Sequence, residues 1–514
     1  MADAPGFDEI VRDGITLLHR RQPVAATPVT GKGATRSDFD GDGRDDVAAF
    51  SDHGVVITYS SAPHRDYLRT EMPGDGCVCF GAQLVAGNFN GDRYADLAIA
   101  DMDEVDLKNM GYHAGAVWIF SGGPGGLQVD TVKHLNQSTP GVPGSSREPD
   151  WFGDSLAAGD ITGDGRDELA IGIPRKKVGK ATEAGAVVVL RGSADGITTT
   201  GARWITQNTA GVPGAAESAD AFGGSLSIGK INKDRYQELI VGAPIEDEGT
   251  YGGSGMVTQF WGTAAGVSLK KVTGVSGKAA TKAAKHDGTY LWNFGGALGI
   301  TDTTGDGYGE IIVGVGGAQA GSGWDLQPGA VVSLAGRGAG LSTTGMRVFS
   351  QDSAGIAGAT ESEDHFGDSI AVGDVTGDGL GDVLVSVPGE DVGKTVDAGM
   401  VVLLRGTRKG LTGAGSQSLD QNSGIVPGAA ERNDGFGFSV SLLNLDGAGG
   451  LDALVGTPDE HVEGDTAGWP SGTVTGLPGT RKGLSAGTAT SGRAVWGDTR
   501  ITRYGMHLVG PQSP

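Results

Sequence analysis

Nine residues, Asp38-Phe39-Asp40-Gly41-Asp42-Gly43-Arg44-Asp45-Asp46, set carboxylates at positions one, three, five and nine. Alternate side chains of a tight loop converge on one centre, and a hard cation such as Ca²⁺ takes about 6–8 oxygens at roughly 2.3–2.6 Å. Asp38, Asp40, Asp42 and Asp46 would supply the side-chain oxygens and Arg44 a main-chain carbonyl. Gly43 permits the reversal between them. The loop is not an EF-hand, which needs a carboxylate at position twelve; that position is Ala49, inside an apolar run.

The loop recurs, beginning at Asn88, Asp160, Lys230, Asp302, Asp374 and Asn444. The second copy offers Asn90, Asp92 and Asp96 beside Asn88, with the Tyr94 carbonyl. Three copies carry threonine at position three. They are Asp160, Thr162, Asp164, Glu168 with Arg166; Asp302, Thr304, Asp306, Glu310 with Tyr308; and Asp374, Thr376, Asp378, Asp382 with Leu380. The fourth copy starts with an ammonium, Lys230, that repels a cation and neutralises the acids beside it. The copy at Asn444 has Ala448 at position five. About five calcium sites are therefore expected, with the loops at Lys230 and Asn444 empty.

A fixed frame surrounds each copy. An aromatic–glycine pair opens a short apolar strand before the loop, as in Phe152-Gly153, Phe222-Gly223 and Phe366-Gly367. A second strand follows, ending in Gly242-Ala243-Pro244 or a variant, then a third and a weaker fourth. Short strands at regular spacing, repeated seven times, read as an all-β, seven-bladed β-propeller of four-stranded antiparallel blades. Blade one lacks its aromatic–glycine strand, while Tyr504-Gly505 supplies a spare one near the end of the chain. Residues 500–510 are thus expected to close blade one and the ring. Residues 31–514 form the propeller, and residues 1–30 an N-terminal arm with a short helix over residues 7–21.

The Phe–Gly strand, the D-x-D-x-D-G-x-x-D loop and the Gly-Ala-Pro strand, recurring in that order, resemble the FG-GAP repeat of integrin α-subunit head propellers and related bacterial proteins. The resemblance covers roughly residues 35–510. It implies a propeller with calcium in its hairpin loops; it does not carry integrin function over, since no adhesion domain is inserted.

Bulk composition narrows the partners. With Lys+Arg 39 and Asp+Glu 62 the net charge is −23, which disfavours nucleic acid and anionic membrane as partners. No apolar run approaches the ~18 residues of a membrane helix, and no secretory leader is visible in the chain. Cys77 and Cys79 do not make a disulfide framework.

All metal loops join first to second strands and share one face. Function is expected on the opposite face, where the second-to-third-strand loops vary. Aromatic residues there, Trp324, Trp469, Tyr112, Tyr251 and Trp292, suit stacking on sugars or anchoring a protein. The blade connections share Gln137, Gln207, Gln351 and Gln421, which reads as scaffold. The function expected is an extracellular, secreted or cell-surface binding module for a glycan or protein partner. The alternative is an enzyme (hydrolase, lyase or biosynthetic) at the channel mouth. Its acid/base candidates are Asp154 and Asp368, each after an aromatic–glycine pair, with His365, His461 and His507.

Overall fold

Runs such as Glu168–Ile173 and Asp382–Val387 lack the polar alternation of a sheet with one wet face, and every residue in them is buried. A strand covered on both faces needs a neighbour on each side, and stacked blades provide it. The computed structural model describes residues 8–12, 14–22, 36–51, 54–61, 65–71, 79–105, 113–247, 253–284, 289–316, 319–320, 328–336, 338–463, 465, 470–491 and 502–510. It is a seven-bladed β-propeller of four-stranded antiparallel blades.

Blade three shows the unit. Ser155–Gly159, Glu168–Ile173, Ala186–Arg191 and Thr198–Ile205 pair in sequence order. The register runs from Gly159 opposite Glu168 to Val187 opposite Ile205, with a bulge between Val189 and Arg191 that bends the outer strand. The same irregularity recurs in blades two, four and six.

Blades are joined by a repeated stitch. The aromatic N–H that opens each of blades three to seven donates to the carbonyl ahead of the previous blade's third strand, as in Phe152 to Ala114 (2.9 Å), Phe222 to Ala184 (3.0 Å) and Phe436 to Ala398 (2.9 Å). The glycine that follows that carbonyl, Gly115, Gly185 or Gly399, has φ +81, +87 or +86, and an added Cβ would lie 2.2–2.5 Å from aromatic main-chain atoms. Only glycine fits there. The aromatic ring is fully buried; Phe80, Phe152, Phe222, Phe294, Phe366 and Phe436 are each 0% exposed. Each such ring is worth roughly 1.5–3 kcal/mol of apolar transfer.

Blade seven treats the chain's last strand as though it were the next blade. Tyr504 N–H donates to Ser471 O at 3.1 Å, and Gly472 stands in the glycine position with φ +71. Ser439 Oγ donates to Gly505 O at 2.6 Å, as Ser155 Oγ does to Gly223 O. On its other side this segment pairs antiparallel with Val47–Ser51, through Phe50 N–H to His507 O (2.9 Å) and Val509 N–H to Ala48 O (2.9 Å). The C-terminal strand closes the ring. Inner strands of all seven blades then line one axial cavity of about 420 Å³, touched by Gln83, Leu156, Leu226, Leu298, Ile370, Val440 and Met506.

The arm corrects the helix expectation. Asp8–Arg12 and Ile15–Gln22 are two strands of a hairpin, with Gly14 at φ +85 in the turn, and the second lies against Arg65–Glu71 of blade one. Its β-branched pairs, Ile10-Val11 and Ile15-Thr16, favour strand, and a buried acid needs its cations. Asp66, 0% exposed, takes the Arg21 guanidinium on both oxygens (3.0 and 3.2 Å) and the Tyr59 hydroxyl at 2.6 Å, with His19 Nε2 at 3.5 Å. Burial acts to raise the Asp66 pKa, but hydrogen bonds from His19, Arg21 and Tyr59 win and hold it below the usual carboxylate value. One helix, Gly277–Ala284, was not anticipated; it lies in the connection from blade four to blade five and buries Ala280.

Candidate functional site

The hairpin loops wind tightly because position-one side chains collect the loop's own N–H groups. Asp38 Oδ1 accepts from Gly41 (2.6 Å) and Asp42 (2.9 Å), and Oδ2 from Gly43 (2.7 Å). Asp160, Asp302 and Asp374 repeat the pattern, for example Asp302 Oδ2 from Gly307 at 2.6 Å and Asp374 Oδ2 from Gly379 at 2.7 Å. Position-five acids take the position-seven N–H: Asp42 from Arg44, Asp92 from Tyr94, Asp164 from Arg166, Asp306 from Tyr308 and Asp378 from Leu380, all at 2.7–3.0 Å.

Among the described residues one loop gathers three acidic side chains. Carboxylate oxygens of Asp38, Asp40 and Asp42 lie within 4.8 Å of one another. Oxygens around one cation at roughly 2.4 Å can be at most about 4.8 Å apart, so this donor set fits a hard divalent ion. Burial pushes Asp38 up to about 6, against N–H groups of Gly43, Gly41 and Asp42 that pull it down, and the Asp42 charge pushes it further up. In the second loop the amides of Asn88 and Asn90 reach Asp92, to its carbonyl at 2.8 Å and its Oδ2 at 2.9 Å. Threonine hydroxyls face acids inside their own loops, Thr162 to Glu168 (3.3 Å), Thr304 to Asp302 (3.2 Å) and Thr376 to Asp374 (3.5 Å). In the fourth loop Lys230 Nζ donates to Asp234 O at 2.8 Å, so the ammonium lies within the loop. Asn444 Oδ1 takes the Gly447 N–H at 3.0 Å.

Position nine does something the spacing alone did not reveal. Asp46 receives Phe39 N–H and Ser60 N–H, both at 2.8 Å, and Asp382 receives Val375 N–H (3.2 Å) and Gly406 N–H (2.9 Å). Asp96 and Asp452 do the same, while Glu168, Glu238 and Glu310 reach only into their own loop. In these four loops the closing aspartate thus pins the hairpin to the start of the loop after the third strand. Burial is the main force raising it, well above the usual range for Asp46 and to about 7 for Asp96.

Neighbouring loops are also tied together. The position-eight N–H donates to the position-one carbonyl of the preceding loop: Ala95 to Asp38, Asp167 to Asn88, Gln237 to Asp160, Gly381 to Asp302, Leu451 to Asp374 and, across the seam, Asp45 to Asn444, all at 2.8–3.1 Å. These six bonds link the seven loops in one chain on the hairpin face.

The opposite face is more varied. Trp292 is half-buried beside Gly253 on the connection into blade five. Trp324, Trp469, Tyr112 and Tyr251 lie outside the described residues, as does Cys77. Arg175 stacks its guanidinium 3.4 Å over the Trp151 ring and opposes the burial that pushes nearby Asp154 up to about 6. Asp368 lines the axial cavity, where enclosure raises its pKa and His365 pulls it down. His507 shares that cavity, and burial lowers it to about 4. Asp154 is not among the lining residues, so the cavity does not gather the two aspartates. His365 sits in the left-handed region (φ 56) before Phe366, the position held by Trp151, Ala221 and Asn293 in other blades, and this marks it as a turn residue. His461 is exposed.

Lys176, in the loop after the second strand of blade three, is 4% exposed. It and the glutamates that replace it in other blades bond to the four connection glutamines across blade junctions. Their spacing in sequence is constant, but neither partner was singled out as chemistry because each lies in a different blade.

Residues 80–120, 152–190 and 366–404 match the FG-GAP repeat family. Integrin alpha-PS2 of Drosophila melanogaster is 27% identical over 239 residues, 46% of this chain and 15% of that protein. Three segments of this chain carry FG-GAP repeats, on a seven-bladed propeller similar to integrin α chains. Integrin alpha-3 of Mus musculus is 37% identical over 100 residues, covering 19% of the propeller chain and 9% of its own. The propeller therefore spans about 15% of the length of the first of these relatives. The rhamnogalacturonan lyase PL11 of Bacillus licheniformis overlays with a TM-score of 0.35 at 12% identity, over 95% of the FG-GAP chain and 77% of the lyase, too loose to carry an argument. Among the described residues no helix is long and apolar enough to cross a membrane.

Proposed function

We propose that this propeller is an extracellular binding module whose hairpin loops hold calcium and whose opposite face recognises a glycan or protein partner. The observation that carries the reading is the division between the faces. On one, acids turn inward and the loops are linked by main-chain bonds; on the other, the loops differ from blade to blade. Asp38, Asp40 and Asp42, with Asp46 and the Arg44 carbonyl, would hold the first ion, and the loops at Asn88, Asp160, Asp302 and Asp374 the others. A bound cation supplies the positive charge that the buried acids lack, and so stiffens glycine-rich hairpins.

Two measurements test this. Asp38→Asn with Asp42→Asn should lower bound calcium by one per chain and lower the melting temperature. A glycan-array or pull-down hit of the wild-type protein should be lost in Trp292→Ala, Trp324→Ala or Trp469→Ala. Hits retained in all three variants would remove the aromatic face from the proposal. The enzymatic alternative is favoured by one observation, an acid of raised pKa, Asp368, in an axial cavity of about 420 Å³. A turnover abolished in a folded Asp368→Asn variant would select it.

A further inference from the structure

Four blade junctions on the long-loop face follow one plan and differ in charge. In each, a glutamine leaving one blade (Gln137, Gln207, Gln351, Gln421) bonds to the residue just past the second strand of the next: Lys176, Glu246, Glu390 or Glu460. An aspartate of the connection, Asp150, Asp220, Asp364 or Asp434, is buried beside it, 1–2% exposed. Its Oδ2 accepts the N–H of Arg147, Glu217, Glu361 or Glu431 at 2.6–2.7 Å. Two basic residues at the first junction thus answer to two glutamates at each of the others.

The lysine junction shows what the space holds. Lys176 Nζ takes Gln137 Oε1 at 2.9 Å, Asp150 Oδ2 at 2.6 Å and the Ser145 carbonyl. It is a cation inside a cage of amide, carboxylate and main-chain oxygens. At the other junctions the glutamine and the aspartate persist without that cation. Gln207, Gln351 and Gln421 are 2–5% exposed, and the Oε1 of each is buried with no hydrogen-bond partner. Their orientation matches that of Gln137. In all four the Nε2 faces a glycine, Gly144, Gly214, Gly358 or Gly428, at 2.4–3.0 Å from the place of an added Cβ. The unpartnered oxygen is therefore turned to where the ammonium stands at the lysine junction. Asp220 Oδ1 is likewise buried and unpartnered.

Charge gives the same answer. Lysine plus aspartate is neutral, whereas glutamate plus aspartate carries two negative charges. Buried charge must be paired, and one divalent cation restores what Lys176 supplies. Donors that are all oxygen select a hard ion. We propose that the junctions between blades three and four, five and six, and six and seven are three divalent-cation sites. Each is ligated by the glutamine Oε1, the aspartate and the glutamate. Burial pushes Glu246, Glu390 and Glu460 up to about 7 against the hydrogen bond from glutamine, and nearby acids add to the rise. His365 and His461 partly offset Asp364 and Asp434. These sites lie at the far end of the second strand from the hairpin loops. Glu238–Ala243, six residues, puts about 20 Å between the two sets. They do not depend on calcium in the hairpins.

The test copies one junction onto another in the full-length chain. After chelation, calcium bound at saturation is measured by equilibrium dialysis. Glu390→Lys with Glu361→Arg, which reproduces both basic residues of the lysine junction, should bind one calcium fewer than wild type and keep the wild-type circular dichroism. Lys176→Glu with Arg147→Glu should bind one more. Should the first variant fail to fold, Gln351→Met removes only the amide group and should weaken one site tenfold or more. Unchanged calcium stoichiometry and affinity in the folded variants would overturn the proposal in favour of glutamates held neutral by protons.

Discussion

Blade three and blade one carry the same four-stranded plan and reach it by opposite routes. Blade three is one continuous segment, 155–205, whose strands pair in the order they are made. Blade one takes its inner strand from residues 505–510, its next strands from 47–71, and two further strands from the arm at 8–22. A contiguous blade is held by its own hairpins. The seam blade is held by contacts between segments far apart in the chain, such as Asn444 N–H to Asp45 Oδ2 at 2.7 Å, 399 residues apart. The contrast says that the interface, not the blade, is the element this chain repeats.

Removing residues 502–514 should have the largest effect. It deletes the inner strand of blade one and the partner of blade seven together, and cooperative unfolding should vanish in calorimetry; a sharp, unshifted transition would show that blade one does without it. Next comes chelation, expected to lower the melting temperature, since a site kept at a hundred times its dissociation constant contributes about 2.7 kcal/mol. Asp38→Asn should account for part of that loss, and Lys230→Ala, in a loop expected to hold no metal, for none.

A smaller effect is expected at the arm. Asp66→Ala removes the acid that holds Arg21 and Tyr59 and should cost about 3 kcal/mol of blade-one stability. Because the folded Asp66 pKa lies below its unfolded value, its contribution is complete above the ordinary carboxylate value of about 4 and fades as pH falls through the folded one. Hydrogen exchange of residues 15–22 should therefore speed up in strong acid, beyond its intrinsic pH dependence, and lose that sensitivity in Asp66→Ala. Smallest is the stitch: Ser155→Ala and Ser439→Ala each delete one hydroxyl-to-carbonyl bond and should cost about 1 kcal/mol. Equal costs would make the seam an ordinary interface, whereas a much larger cost at Ser439 would mark it as the weak joint.

The repeats were readable because aromatic–glycine pairs and acid loops are side-chain signals recurring at a fixed interval. Closure was readable too, since Tyr504-Gly505 is a surplus copy of one. The arm misled because Phe7, Ile10, Val11, Ile15 and Leu18 mimic a helical stripe, and the pull of Asp66, some 45 residues away, leaves no local trace. The links between hairpin loops were invisible for another reason: main-chain bonds carry no residue signature. The burial of Lys176 was not legible because nothing near it in sequence names Gln137 or Asp150 as its cage.

Joining the last strand to blade one leaves this array without a terminal unit. In an open stack of repeats the end members have one neighbour and fray first. In a ring every blade has two, so no blade can peel away until two junctions part in the same event. Unfolding then has a high threshold even if each junction is modest. The protein should outlast its equilibrium stability, with a slow escape rate and with amide exchange in the second strands suppressed alike in all seven blades.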